Sequence, residues 1–190
     1  MRQQVTKEMK NKWGSYPDRK NSYDDDSDCE IFIEHTKNNR DLQNYILRYI
    51  NSCTSVHFHM KQWPHCRWKI KPDGKHGIDL ALVNDDKRLL HIDVERWSEW
   101  KGDWPPFYKN LHFFGRKDHF LEDDPRFIIV YMNYERNKLI VVNKDVIKRY
   151  ETKNKYFRHK KCYDWVKEMK MSDGHIFGYN ITPTERRNFA

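Results

Sequence analysis

The sequence lacks any apolar run approaching the roughly 20 residues that a membrane-spanning helix requires. The first seven residues, Met-Arg-Gln-Gln-Val-Thr-Lys, do not include the apolar segment of a signal peptide. The four cysteines, at positions 29, 53, 66 and 162, show no pairing rhythm, which argues against a disulfide scaffold. These absences predict a soluble, cytoplasmic protein that does not act on a membrane.

Basic and aromatic residues are abundant. Lys and Arg outnumber Asp and Glu by 36 to 28, for a net charge of +8, and the 190 residues include 7 Trp, 11 Tyr and 10 Phe. The aromatic content predicts a core built from large rings, within one domain of ordinary size. The positive charge favours a polyanionic partner, either nucleic acid or an anionic membrane.

The chain divides into two parts by composition. Residues 1–28 are polar and end in the acidic run Asp-Asp-Asp-Ser-Asp, which predicts a flexible N-terminal segment. Residues 29–190 carry the apolar patterns of a single domain with a basic C-terminal part. Within that part, residues 144–161 hold eight Lys and Arg against two acids, which fits either a solvated face or a surface that contacts phosphates.

A β-hairpin is the clearest element, over residues 77–97. Two apolar and β-branched runs flank the polar segment Asn-Asp-Asp-Lys at 84–87. Alternation along the second strand places Asp93 and Glu95 on one face, about 7 Å apart. Two such acids repel unless water solvates them or a cation neutralises them, so the face is either wet or a site for a hard divalent ion.

The other patterns give a coarse order of elements. Apolar residues at helical spacing predict an amphipathic helix over 41–50, whereas the run at 31–33 fits either a helix or a strand. Further expected elements are strands over 67–71, 126–133, 139–142 and 174–179, a short strand and a helical turn over 111–121, and helices over 145–150 and 162–171.

Two further sets of residues each support two interpretations. The set Cys53, His57, His59, His65 and Cys66 raises the alternative of a zinc site, but it lacks two closely spaced cysteines, and the alternation around His57 and His59 favours an ordinary strand. The tryptophans at 97, 100 and 104 alternate with lysines, so their rings either stack on bases or cap one end of the core.

The order helix, strand, strand with Asp79, strand with Asp93 and Glu95, connecting segment and buried strand resembles the PD-(D/E)XK nuclease superfamily over about residues 40–145. The resemblance implies an α/β (α+β) fold with a restriction-endonuclease-like core, a central mixed β-sheet flanked by helices. Residues 104–117 also look like a pattern in virus- and phage-encoded putative nucleases of this fold. A viral member would act inside the host cell.

The resemblance also implies site residues. Asp79 and Asp93 match the two family acids, and Glu95 stands where a lysine is usual. Mg²⁺ or Mn²⁺ would be held by the side chains of Asp79, Asp93 and Glu95 and the carbonyl of Val94. Arg116 or Lys117, on the following element, would supply the positive charge that the missing lysine provides in the family.

We therefore expect a metal-dependent endonuclease that hydrolyses phosphodiester bonds, with DNA favoured as the substrate. Restriction-like enzymes often act as homodimers, but no isologous surface can be recognised in this sequence. The alternatives are a catalytically inactive nucleic-acid-binding protein on the same scaffold and a structural protein with solvated acids. The expected nucleic-acid-binding residues are Trp100, Lys101, Lys109, Lys148, Arg149, Lys153 and Lys155.

One geometric condition tests the expected metal site. If Val83 pairs with Arg88 and the register continues unbroken, Asp79 faces Ile92 and points away from Asp93. A bulge of one residue shifts the register and brings Asp79 beside Asp93 or Glu95. The loop residues do not decide between these cases, although Asp and Asn tolerate the positive φ that bulged loops use.

Overall fold

The computed structural model describes residues 25–52, 66–74, 77–104, 109–122, 126–158 and 161–178. Three helices lie in these ranges, at Asp25–Asn38 (α1), Arg40–Asn51 (α2) and Lys144–Lys148 (α3). The strands are Cys66–Ile70 (β1), Leu80–Asn84 (β2), Lys87–Arg96 (β3), Asn110–Phe114 (β4), Arg126–Met132 (β5), Lys138–Asn143 (β6), Thr152–Phe157 (β7), Cys162–Lys170 (β8) and His175–Gly178 (β9). Short 3₁₀ helices span Gly115–Leu121 and Met171–Asp173.

A six-stranded mixed sheet forms the centre of the fold, in the order β1-β2-β3-β5-β6-β9. Strands β3 and β5 are parallel, and the other neighbours are antiparallel. Strand β5 is buried along nearly its whole length, as expected for a strand covered on both faces. The predicted mixed α+β class with a central mixed sheet is therefore confirmed.

Helices α1 and α2 cover one face of this sheet. Helix α2 presents its buried residues at helical spacing to the sheet, and its first turn is capped by Asn39, whose side chain accepts hydrogen bonds from two backbone N–H groups. The predicted helix over 41–50 is confirmed. The run at 31–33, which fitted either a helix or a strand, lies in α1.

A second sheet covers the opposite face, where flanking helices were also expected. It is antiparallel, with the order β4-β8-β7, and it packs Leu111, Phe113 and Met169 against Phe127, Ile129 and Tyr131 of the central sheet. The 3₁₀ helix at Gly115–Leu121 adds Phe120 and Leu121 to the same core. The side chain of Asp93 lies on this face of the central sheet, between the two sheets.

The predicted helix over 162–171 is wrong, because these residues form β8. The apolar residues Val166 and Met169 are three apart, as on one face of a helix, but in the strand they point to opposite faces and enter separate clusters. Strand β7, over 152–157, was not predicted because its lysines obscured the alternation. The strands expected near 67–71, 126–133, 139–142 and 174–179 are all present.

Helix α1 begins at Asp25, within the segment predicted to be flexible. Asp28 is buried, and its carboxylate lies 2.7 Å from Nε of Arg136 in the β5–β6 turn. The boundary expected after residue 28 therefore cuts into a packed helix, while residues 1–24 lie outside the described part. Cys53, His57, His59 and His65 of the zinc alternative also lie outside it, and Cys66 begins β1.

Among the helices in the described ranges, none has the length and apolar character needed to cross a membrane.

Candidate active site

The β2–β3 hairpin contains the bulge that the metal site requires. Val83 pairs with Arg88, but the register then shifts, so that Leu82 pairs with Leu90 and Leu89 is the extra residue. In the loop itself, Asp85 adopts a positive φ of 52°, a conformation that aspartate tolerates. The register shift that the condition requires is therefore present. Asp79 itself lies just outside β2, one residue beyond the last pair of the ladder, Leu80 and Ile92.

Asp79 lies where the ladder between β2 and β3 ends. One of its carboxylate oxygens accepts a hydrogen bond from the backbone N–H of Val94 at 2.8 Å. Val94 stands between Asp93 and Glu95, so the Asp79 carboxylate is fixed to the backbone of the acidic pair. Its position is set by strand pairing together with this hydrogen bond.

Lys117 joins the two acids of β3. Its Nζ lies 2.5 Å from Oδ2 of Asp93 and also donates to Oε1 of Glu95. The three side chains are largely buried, with exposed fractions of 15% for Lys117, 5% for Asp93 and 21% for Glu95. The 3₁₀ helix after β4 thus places a lysine against both acids of β3.

Burial and charge act together on this group. Burial raises the pKa of Asp93 above its ordinary value, and the nearby Lys117 offsets part of that effect. Burial alone would lower the pKa of Lys117, but the two carboxylates outweigh it and hold that pKa above its usual value. Lys117 therefore remains a cation at neutral pH and is unsuited to act as a general base.

Arg116 turns the other way from Lys117, towards the second sheet. Its Nη1 lies 3.4 Å from Oδ2 of Asp164 on β8, and its guanidinium lies over the ring of Phe114, 4.3 Å from the centroid. Its charge also acts to lower the pKa of Asp93. Arg116 is close enough to influence the acidic pair while being held by a residue of β8.

Tyr131 is a neighbour that the sequence did not single out. It pairs with Glu95 across β3 and β5, is fully buried, and donates its hydroxyl to the carbonyl of His112 at 2.9 Å. Burial, followed by the charges of Glu95 and Asp93, raises its pKa well above the ordinary value. Tyr131 and Asp164 had no recognisable signal, because each stands in a run of apolar or aromatic residues.

Trp100 does not suit the base-stacking role expected for it, and that expectation is corrected. Its side chain is 1% exposed and packs 5.0 Å from Trp104, which itself lies 5.5 Å from Trp97. The alternative that these rings cap the core is the one the structure supports. Lys101, Lys109, Lys148, Arg149 and Lys153 are exposed, whereas Lys155 is partly buried and bonds to Glu168. Their part in nucleic-acid binding stays a prediction.

The acids are not gathered into a complete set of metal ligands. Within the part of the chain that the structure describes, no three His, Cys, Asp or Glu side chains form a group that could hold a metal ion. The cation between Asp93 and Glu95 is the ammonium of Lys117. The chemical type of the available donors nevertheless suits a hard divalent ion, which prefers carboxylate oxygens.

Neither the protein-family models nor the curated proteins contain a significant match to this chain.

Proposed function

We propose that this protein is a metal-dependent endonuclease that hydrolyses phosphodiester bonds of nucleic acid, with DNA as the favoured substrate. The observation that carries the proposal is the buried contact of Asp93 and Glu95 with Lys117, beside the carboxylate of Asp79. Burying charged groups costs folding free energy, and apolar residues at the same positions would often give an equally stable or more stable core. Such clusters of charge are concentrated at functional sites.

The topology supports the same scaffold as the resemblance. Strands β1, β2 and β3 form an antiparallel meander after helix α2, and β5 follows the connecting segment parallel to β3. Asp79 precedes β2, and the acidic pair lies on β3. We take this as support for a restriction-endonuclease-like core.

Asp79, Asp93 and Glu95 would hold Mg²⁺ or Mn²⁺, with the carbonyl of Val94 as a further donor. When bound, the ion supplies a Lewis acid that polarises the phosphodiester and lowers the pKa of a coordinated water. Lys117 would move from between the acids towards the phosphate and offset the negative charge that develops there. Arg116, held by Asp164 and Phe114, would add positive charge from the opposite side.

The test is cleavage of supercoiled plasmid, single-stranded DNA and RNA with Mg²⁺ or Mn²⁺. We expect Asp93→Asn to abolish cleavage while keeping the size and hydrogen-bonding capacity of the side chain. Asp86→Asn, in the exposed β2–β3 loop, is the matched control and should cleave normally. Cleavage that survives Asp93→Asn, or no cleavage of any substrate by the parent chain, would refute the proposal.

One observation favours a second function, a nucleic-acid-binding protein without catalysis. The ammonium of Lys117 already bonds to both acids of β3, and the described residues assemble no group of three metal-ligating side chains. A binding protein would retain DNA in the absence of metal and release it steeply as salt rises. Retention of DNA without cleavage would favour this second function.

A further inference from the structure

The β7–β8 hairpin carries three exposed aromatic side chains. Tyr156 is 47% exposed, Tyr163 68% and Trp165 37%. Tyr156 pairs with Tyr163 across the two strands, and Trp165 is two residues further along β8, so all three lie on one face. The two tyrosine rings lie 5.1 Å apart. We call this surface the aromatic face.

Exposure of such rings is unusual for a chain with a well-formed core. Within the described ranges, six large hydrophobic residues are more than a third exposed, and three of them lie on this one hairpin. The central part of β8 is well packed, because Val166 is fully buried in a cluster with Phe114 and Phe157. The hairpin is therefore an ordered element that presents rings to the outside.

The charge around the rings selects the kind of partner. Of the five Lys and Arg in the described residues of 152–167, Lys155 bonds to Glu168 and Lys167 lies 3.9 Å from Asp118, so three cations are left to face a partner. Lys153, Arg158 and Lys161 are exposed. An apolar protein surface would gain little from this charge, whereas a nucleic acid with unpaired bases offers both phosphates for the cations and flat faces for the rings.

The strand that carries Tyr163 and Trp165 also contacts the element that bears Lys117. Asp164, between Tyr163 and Trp165, points to the opposite face of β8 and binds Arg116. The next residue, Lys117, bonds to Asp93 and Glu95. A nucleic-acid strand bound to the aromatic face would therefore contact β8, the same element whose Asp164 binds Arg116 next to the proposed site.

We propose that Tyr156, Tyr163 and Trp165 form a stacking platform for unpaired bases, so that the protein prefers single-stranded nucleic acid or the single-stranded parts of a branched molecule. A preference for cutting single strands rests on the nuclease function proposed above. Binding of single strands by the three rings does not depend on that function. Duplex bases are already stacked on one another and offer only the ends of the helix to these rings.

The test is fluorescence anisotropy with a labelled 20-nucleotide single strand and its duplex, in EDTA, so that cleavage plays no part. Base stacking on an aromatic ring predicts that Tyr163→Ala and Trp165→Ala each weaken single-strand binding roughly 5- to 100-fold. Tyr163→Phe keeps the ring and should bind normally. Tyr134→Ala, which removes a 47% exposed tyrosine from the β5–β6 turn, is the matched control and should change binding by less than about twofold.

Equal binding by the parent chain and Tyr163→Ala would overturn the platform, as would equal affinity for single strand and duplex. A concentration-dependent dimer that Tyr163→Ala dissolves would also overturn it and assign the face to a second copy of the chain. The two proposals fail separately. Loss of single-strand binding in Tyr163→Ala without any cleavage by the parent supports the platform alone, whereas duplex cleavage unaffected by Tyr163→Ala supports the nuclease alone.

Discussion

Lys117 and Asp93 are 24 residues apart in the chain, yet Nζ of the lysine lies 2.5 Å from Oδ2 of the aspartate in the interior between two sheets. The contact exists because β4 crosses over the central sheet and the 3₁₀ helix that follows it returns above β3. A lysine in β3 itself, two residues after Asp93, would occupy the position of Glu95. The structure therefore combines one buried cation with two carboxylates of β3.

Removal of the Lys117 ammonium should lower the free energy of unfolding by several kcal/mol, on the order of a broken buried ion pair. In Lys117→Met the carboxylates of Asp93 and Glu95 would remain buried side by side without the ammonium group that bonds to both, and loss of one member of a buried ionic group typically costs about 3–5 kcal/mol. We expect a loss of that size in urea denaturation at pH 7. Addition of Asp93→Asn and Glu95→Gln to Lys117→Met should restore most of the stability. Lys101→Met, at an exposed position, is the control.

Divalent ions should distinguish a metal site from a structural ion pair in the same variant. If Asp79, Asp93 and Glu95 can hold Mg²⁺ or Mn²⁺, the ion should take the place of the missing ammonium in Lys117→Met and stabilise it through binding to the folded state alone. We expect its melting temperature to rise with Mn²⁺ concentration more than that of the parent chain. An equal or smaller rise would show that the acids do not form a cation site.

Asp79 allows its structural and chemical contributions to be separated. Asp79→Ala leaves the N–H of Val94 without its carboxylate acceptor, which should cost about 1–3 kcal/mol. Asp79→Asn retains an oxygen acceptor and should be nearly as stable as the parent chain in the same denaturation experiment. Both variants should lose metal-dependent cleavage, because both lose the negative charge. An active Asp79→Asn would assign this residue to the hairpin structure only.

The sequence could predict the hairpin, its two faces and helix α2, because each shows a regular period of its own element. It could state the bulge at Leu89 only as a condition, since a one-residue shift depends on how β2 and β3 pack and not on the local residues. From the sequence, the cation beside Asp93 and Glu95 could be predicted only as Arg116 or Lys117. The tertiary structure was needed to show that Lys117 makes the contact. Burial of Trp100 and the strand at 162–170 were missed for the same reason, because neighbouring elements determine both.

Asp28 and Asp26 form a matched pair for the role of helix α1. Asp28 is buried against Arg136, whereas the Asp26 side chain is 61% exposed and lies 3.6 Å from Lys71. Asp28→Ala should destabilise the fold by about 3 kcal/mol, as expected for a broken buried pair. Asp26→Ala should cost less than about 1 kcal/mol, the usual value for a surface pair. Equal effects in urea denaturation would mean that α1 does not depend on the Arg136 contact.

Glu168 predicts a defined dependence of stability on pH. A hydrogen bond from Lys155 is the main reason that the pKa of Glu168 lies below the ordinary value of 4.5. The folded chain therefore keeps this carboxylate ionised at a pH where the unfolded chain has already bound a proton. Its stabilising contribution is complete above about pH 4.5 and is lost as the pH falls through the lower value of the folded state.

Glu168→Gln removes this contribution at every pH. The difference in unfolding free energy between the parent chain and Glu168→Gln should be constant near neutral pH and should shrink as the pH falls below 4.5. Glu151→Gln, at an exposed position just before β7, should show no comparable change between the same pH values. A difference for Glu168→Gln that stays constant down to the acid transition would mean that the bond to Lys155 does not stabilise the ionised carboxylate.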